Sequence, residues 1–381
     1  MAALRLSLSA KKGGSVNTIL VSNIPAPYRE PVYEAVAKDL AGFMVLYCQP
    51  VEPDRQWKFL LGNYPMKFLK GTAFTYNRIY SHHVHWNPGI WAELNRLDPA
   101  VVITNGYNPS HLVAFLWARF KGRKHVAMTD GWLKSEEHLT FAHRALRWFI
   151  LSQTAAFIGA SNRSLELLQH YGAKVQQCFL SYLCGNNDQF PQKPNPGQSR
   201  PYDLMFSGQF IERKMPFFFC EVAELLKKQR GRLRVLLIGD GPLREETLAR
   251  LAAAGVEYDY PGFLSQEELP ARYASAKIFL FPTLQECWGV VVNEACAAGT
   301  PVITCDNTAV DGELIDHEVT GLVLPLDAQT WAHEADKLLT DPDVWTRLSL
   351  AARERVGAYT YSSAAKGIVA AIRFVENVSF R

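Results

Sequence analysis

The 381-residue chain has no CxxC pair, no charge of one sign in large excess, no cluster of His, Asp and Glu at metal-ligand spacing, and no long apolar run. A bilayer-spanning helix needs about 20 consecutive apolar residues, and no run approaches that length. Seven cysteines, an odd number, fit neither a disulfide framework nor a structural zinc site and point to a reducing cytoplasm. Cys287, Cys296 and Cys305 are nine apart in apolar or turn surroundings and read as small buried residues. A net charge of +3, spread evenly, argues against a nucleic-acid partner. The opening MAALRLSLSAKKGG has no long apolar stretch and reads as a frayed leader, not a signal peptide.

What is present is an ordinary globular composition, 48% apolar and 20% charged, over a length that suits two domains. Buried-strand patterns alternate with helical ones: NTILVSNIP, a helix over 29–40, FMVLYC, a helix over 89–97, AVVITNG, a helix over 110–120, KHVAMTD, then TAAFIGAS. Alternation of this kind implies a parallel sheet covered on both faces. FPQKPNPGQSRPYD, 190–203, carries four prolines, which cannot donate to a sheet ladder and disfavour helix. The pattern then restarts with DLMFSG and runs through a second α/β unit. The expected division is therefore a first domain over 1–190, a linker over 191–203, a second domain over 204–360 and a closing helix over 361–381 able to pack on either half. Ligands of open α/β sheets bind at the carboxyl ends of the strands, so the cleft between two such units is the expected site.

In the second unit, KIFLFP ends at Pro282, which places Glu286 in the loop beyond the strand. A helix over 288–298 follows, with Gly289 near its start and Glu294 about two turns in, among Val290, Val291, Ala295 and Ala298. An unpaired carboxylate in such company costs several kcal/mol, and sugar or ribose hydroxyls are donors that would satisfy it. The plainer alternative is two surface glutamates on an amphipathic helix.

The segment ECWGVVVNEACAAGTPV resembles the E-x7-E motif of the retaining glycosyltransferases of family 4, with Trp288 where Phe is more common. FSGQFIERKMP resembles that family's G-R-L-x-x-x-K-G segment, with Gly208 and Lys214 matching and Gln209 replacing the arginine. LIGDGPLREE, carrying Gly239 and Gly241, is similar to the family's G-x-G-P turn; Arg244 at the third glycine position argues against a dinucleotide loop. YPGFLSQEEL matches the segment that packs on the nucleobase, with Gly262 and Phe263 as contacts.

The resemblance implies a GT-B fold, two Rossmann-like domains facing each other across a cleft. It implies that Glu286 contacts the transferred sugar and Glu294 the donor ribose. Trp288, Gly289, Val290, Gly208, Gln209, Gly239 and Gly241 would line the donor, and Lys214 with Arg213 beside it would stabilise the leaving diphosphate. The other reading of Arg213 and Lys214 is two solvated charges in a βα loop.

In the first half the likeness is in outline only. SNIPAPYREPVYEAV resembles a subgroup of bacterial surface-polysaccharide transferases with a similar PYR segment, which puts Tyr28 and Arg29 on the acceptor side. Arg29 would meet a phosphate or lie plainly on the surface. Asp130, where the family often has histidine, would orient an acceptor hydroxyl or cap the next helix. HHVH, 82–85, reads as a loop with no carboxylate near it, and in DPD, 341–343, Asp341 reads as a helix cap with Pro342 at the first helical position.

Taken with the resemblance, the chain is expected to be a metal-independent, cofactor-free enzyme. It would move a sugar from a nucleotide sugar to a glycan or lipid-linked acceptor. A GT-B epimerase, a non-catalytic nucleotide-sugar-binding protein and a dehydrogenase are the rivals. Basic and aromatic residues share 118–125 and 143–152, either as helix faces packed on a sheet or as a contact with an anionic membrane at its inner face.

Overall fold

The computed structural model describes residues 16–52, 61–76, 82–190 and 200–377. Residues 191–199 of the expected linker and the leader, within 1–15, lie outside the described residues, and β10 already begins at Tyr202, inside the expected linker.

The first unit runs β1 (Thr18–Ser22), α1 (Glu30–Asp39), β2 (Phe43–Tyr47), β3 (Met66–Phe68), β4 (Thr72–Tyr76), β5 (His82–Trp86), α2 (Ile90–Leu97), β6 (Val101–Asn105), α3 (Pro109–Phe120), β7 (Lys124–Thr129), α4 (Phe141–Leu151), β8 (Ala156–Gly159), α5 (Asn162–His170) and β9 (Cys178–Leu180). The second runs β10 (Tyr202–Ser207), α6 (Pro216–Arg230), β11 (Arg234–Ile238), α7 (Arg244–Ala253), β12 (Glu257–Gly262), α8 (Leu269–Tyr273), β13 (Ala276–Phe281), α9 (Val290–Ala297), β14 (Val302–Thr304), β15 (Leu322–Val323), α10 (Ala328–Thr340) and α11 (Pro342–Val356). The last helix is α12 (Tyr361–Asn377).

Two parallel sheets result, ordered β3-β2-β1-β6-β7-β8-β9 and β12-β11-β10-β13-β14-β15. Their central strands are short, continuous apolar runs: TILVS is buried at every position, as is FMVLY. Such strands are stable only with helices on both faces. In each sheet the strand order reverses between two neighbours, β1 and β6 in the first and β10 and β13 in the second. The loops leaving β10 and β13 therefore open beside each other at the carboxyl ends, where the crevice of a doubly wound sheet lies.

Helix ends follow local chemistry. Asp341 accepts hydrogen bonds from the Asp343 and Val344 N–H groups at the start of α11, with Pro342 next in line. α12 returns to the first unit and packs on α1, β8 and β9. Gly367 permits that approach, since a Cβ there would lie 1.6 Å from the Leu180 carbonyl oxygen. One apolar cluster runs through both units, joining Tyr33 and Ile158 to Trp288, Tyr359 and Ile368.

Two sequence readings are corrected here. HHVH is not a loop but most of β5, paired antiparallel with β4. Nor does it lack a carboxylate: Glu52, close only in space, sits 3.0 Å from His85 Nε2. Period-2 burial was invisible because all three histidines are polar in any sequence pattern. The basic and aromatic 143–152 stretch is a packed helix face only at its end, where Ile150 and Leu151 are buried, while Trp148 is 63% exposed and Phe141, just before the stretch, 86%.

Candidate active site

Two loops build the centre of the site. β13 ends at Phe281, and the loop after it is tied to the turn following β10: the Arg213 carbonyl accepts from Leu284 N–H at 2.9 Å and from Thr283 Oγ1 at 3.1 Å. This tie brings Arg213 and Lys214 onto Glu286. Arg213 Nη1 lies 2.6 Å from Glu286 Oε2, Lys214 Nζ donates to the same oxygen, and the ammonium also sits over the Phe281 ring at 5.0 Å. Burial alone would raise the Glu286 pKa, but the Lys214 ammonium and the Arg213 guanidinium outweigh it and hold the carboxyl at about 2. Glu286 is thus an anion at any physiological pH, suited to accept hydrogen bonds and unsuited to take up a proton. The reading of Arg213 and Lys214 as solvated charges is set aside, since both are mostly buried.

Just before α6, Met215 takes a left-handed φ of 50°. A side chain there costs about 1 kcal/mol, a strain placed directly after Lys214.

Glu294 lies one turn into α9, not two, because the helix starts at Val290 with Gly289 as its cap at φ 93°. The side chain is only 7% exposed. Burial pushes its carboxyl up to about 7, and the Tyr273 hydroxyl draws it only part of the way back. Across from it lies the backbone of Gly185, where a Cβ would be 3.7 Å from Glu294 Cγ and 3.9 Å from Val290. Glu286 and Glu294 are therefore served differently: one is fixed as an anion, the other exchanges a proton near pH 7.

The strand ends beside them form a glycine-lined crest. Gly208 N–H donates to the Ile238 carbonyl and Gly239 N–H to the Gly262 carbonyl, both at 3.0 Å. A Cβ at Gly239 would fall 1.9 Å from the Gly208 carbonyl oxygen, so only glycine lets these loops lie together. Gln209 leads into this turn, Gly241 faces the Phe210 backbone, and Phe263 is 48% exposed beyond Gly262.

Trp288 is corrected. It is fully buried, donates from Nε1 to Asn293 Oδ1 at 2.8 Å and lies 5.5 Å from the Tyr359 ring. It belongs to the core and not to the surface of the cleft.

On the first domain, Arg29 and Asp130 form one unit. Arg29 Nη2 lies 2.7 Å from Asp130, and Nη1 donates to Ser181 Oγ at 3.3 Å and to its carbonyl at 3.2 Å. Arg29 is 3% exposed, which rules out the plain surface arginine. Asp130 caps nothing, since the following 3-10 turn is capped at Trp132. It stays 30% exposed, and Tyr28 is half-buried beside Arg29.

The sequence reading missed the residues that join the two domains. Lys134 Nζ lies 2.8 Å from Asp306 Oδ2, and Gln285 Nε2 donates to the Lys134 carbonyl at 2.9 Å. Arg163 Nη2 lies 2.5 Å from Asp311, and Glu313 accepts from Asn162 N–H at 2.6 Å. No spacing rule could have found them, because the partners are 148 to 172 residues apart. Among the described residues no group of His, Cys, Asp and Glu is arranged to hold a metal ion.

Known proteins share this fold. Residues 187–355 match the family model described as glycosyl transferases group 1. A 2-deoxystreptamine N-acetyl-D-glucosaminyltransferase of Niallia circulans is 31% identical over 156 residues, 40% of this chain and 40% of that protein. The chain thus spans about two fifths of the length of such curated relatives. Anabaena Alr3699/HepE, solved in complex with UDP and glucose, superposes with a TM-score of 0.72 at 13% identity, covering 95% of this chain and 100% of that one. WaaG, a glycosyltransferase involved in lipopolysaccharide biosynthesis, superposes at 0.67 with 15% identity, covering 92% and 98%. The second half of the chain is similar in sequence to the group 1 glycosyl transferases, and the whole chain has the two-domain fold of GT-B glycosyltransferases.

Proposed function

We propose that the protein is a retaining glycosyltransferase of family 4 that moves a sugar from a nucleotide diphosphate sugar to a hydroxyl of a polysaccharide or lipid-linked oligosaccharide precursor. The observation that carries this reading is the convergence of Arg213 and Lys214 on Glu286 at the end of β13. Two cations held by one carboxylate are a ready exchange partner for a diphosphate, which carries more charge than the glutamate it displaces. In this reading no bound metal is needed, because these side chains meet the charge that develops as the anomeric carbon–oxygen bond to the diphosphate breaks. The acceptor oxygen bonds to the same face of that carbon, and its proton passes to the departing phosphate oxygen. Glu286 orients the sugar, Glu294 receives the ribose hydroxyls, and Asp130, fixed by Arg29, aligns the acceptor. HepE's bound UDP and glucose support a donor of this class.

The test is a panel of nucleotide sugars, read first as thermal stabilisation and then as nucleoside diphosphate release with and without a lipid-linked acceptor. Acceptor-dependent release is expected. Release without acceptor supports the epimerase, and stabilisation with no turnover supports a nucleotide-sugar-binding protein.

The acceptor reading includes a place at the inner face of the cytoplasmic membrane. No helix among the described residues is long and apolar enough to cross a bilayer. However, α4 exposes Phe141, Ala145 and Trp148 along one stripe with Arg144 beside it, and Phe120, 76% exposed, ends α3 next to Lys121 and Arg123. Aromatic and basic side chains together suit the interface of an anionic bilayer. Phe141→Glu with Trp148→Glu is expected to lower co-sedimentation with anionic phospholipid vesicles by at least about tenfold. Equal sedimentation of variant and parent would sink this part of the reading.

A further inference from the structure

Glu286 is not held in place by its own domain alone. Its N–H donates to the Asn307 carbonyl at 2.9 Å, and its carbonyl accepts from Ala309 N–H at 3.3 Å. Thr308 Oγ1 donates to the Trp288 carbonyl at 2.9 Å. The segment 306–311 is therefore a rail along which the Glu286 backbone lies, yet it is irregular chain between β14 and β15, outside either strand. Its grip comes from the other domain. Lys134 Nζ donates to Asp306 Oδ2 at 2.8 Å, to the Asp306 carbonyl at 3.2 Å and to Asn307 Oδ1 at 3.2 Å. Arg163 Nη1 donates to the Thr308 carbonyl at 3.0 Å and Nη2 to Asp311 Oδ2 at 2.5 Å. Both cations are mounted on one ring, that of Trp132, with Lys134 Nζ at 5.8 Å and the Arg163 guanidinium at 4.8 Å from its centroid. The rail is thus clasped on one side by the catalytic loop and on the other by first-domain side chains.

We propose that Arg163 and Lys134 are positioning residues for Glu286, so that this carboxylate reaches its working place only while the two domains are together. The inference rests on the glycosyltransferase reading for its consequence, though not for its geometry. Lys214 and Arg213 are held by the Glu286 carboxylate and the loop after β13 and Glu294 sits on α9, all within the second domain, so a nucleoside diphosphate should bind whether or not the clasp is made. The sugar, which Glu286 orients, should not be correctly placed without it. A coupling of this form would commit the transferable sugar only when the acceptor-bearing domain has closed, and would limit hydrolysis in the open form.

The test uses the full chain with Arg163→Ala and, separately, Lys134→Met, which keeps the stem against Trp132. Amide hydrogen exchange, measured without ligand, should accelerate at least about tenfold in peptides covering Glu286 and Ala309 and stay unchanged in β10 and β11. With the nucleotide sugar that most stabilises the parent protein, kcat should fall about 10- to 100-fold. The affinity for the matching nucleoside diphosphate should change by less than about twofold. Pairing Arg163→Asp with Asp311→Arg should restore part of kcat. Unchanged exchange at Glu286 in both variants overturns the proposal, as does a loss of diphosphate affinity in step with kcat. Faster exchange in a protein that transfers no sugar upholds the clasp and instead removes the transferase reading.

Discussion

Lys214→Ala is expected to lower transfer about 10²- to 10³-fold, the loss typical of removing one preorganised charge from a developing anion. Arg213 remains, but the first turn offers Gln209 where a second cation would stand in the resembling family, so little positive charge is left to take over. The loss should follow the diphosphate. Affinity for a nucleoside diphosphate falls while that for the bare nucleoside does not, as titration calorimetry on both ligands would show. Equal affinities for the diphosphate in parent and variant would mean that Lys214 does not meet it.

The same substitution has a stability signature with a definite pH window. Glu286 has its folded pKa lowered to about 2 from an ordinary 4.5. A depressed acid contributes stability that is present above the unfolded pKa and lost as pH falls through the folded one, so the contribution disappears between about 4.5 and 2. Its size is at most about 3.4 kcal/mol at 1.36 kcal/mol per pH unit. Without Lys214 the carboxyl keeps only Arg213, its pKa rises, and part of that contribution is gone. Melting temperatures of parent and variant should therefore differ at pH 6 and converge as the pH approaches 2.

The second large effect is a trade between binding and stability at Glu294. Burial raises its folded pKa to about 7. A raised acid is the opposite case: the folded state binds the proton more tightly, so stability is fully present below about 4.5 and is lost as pH rises through 7. At pH 8 the free protein bears the cost of an ionised carboxylate with little to satisfy it. Glu294→Gln removes that cost while keeping the shape. The variant should be about 1–3 kcal/mol more stable than the parent at pH 8 and equal to it near pH 4.5, as denaturant titrations at the two pH values would show. Glu313, also pushed up by burial to about 7, remains in both proteins and leaves a residual slope that cancels in the difference. Nucleoside diphosphate affinity should fall about 10-fold or more, since two ribose donors lose an ionised acceptor. Binding to the parent at pH 6.5 should release a proton, seen as a binding heat that varies with the buffer's ionisation enthalpy. A variant that is no more stable at pH 8 and still binds the diphosphate with parental affinity would remove Glu294 from the ribose.

A stable site would not leave these two carboxylates so differently served. Glu286 has its cations already, and the donor must draw them away. Glu294 is only partly served by the Tyr273 hydroxyl, and the donor must bring further hydrogen bonds. The first feature stabilises the resting protein, and only the second favours the bound state at the expense of the resting protein's stability.

Several parts of this arrangement were legible in the chain. The buried runs TILVS and KIFLFP announced parallel strands, and the end of β13 at Phe281 placed Glu286 in a loop at the cleft. The eight-residue gap to Glu294 and the position of Lys214 after β10 followed from the same chain geometry, because a short strand, a turn and a helix leave few ways to lay out neighbouring residues. Helix starts at Pro342 and Pro216 were local chemistry as well.

Other parts were not. Trp288 and Phe263 are both aromatic loop residues, yet one is fully buried and the other 48% exposed. Arg29 could have faced a ligand or solvent, and it is the Asp130 carboxylate, 101 residues away, that turns it inward. Glu52 became a partner of His85 only when β5 folded beside it.

By itself, then, the sequence determined the strand and helix order, the two-domain division and the loops that carry Glu286, Glu294 and Lys214, since periodicity and turn chemistry act over a few residues. Only the tertiary structure decided that Arg213 and Lys214 share the Glu286 carboxylate, that Trp288 is core, that α4 packs through Ile150 and Leu151 and leaves Phe141 and Trp148 exposed, and that Lys134 and Arg163 clasp the rail behind the site. Burial and ion pairing depend on what lies opposite in space, and here the opposite groups are separated by 72 to 173 residues of chain.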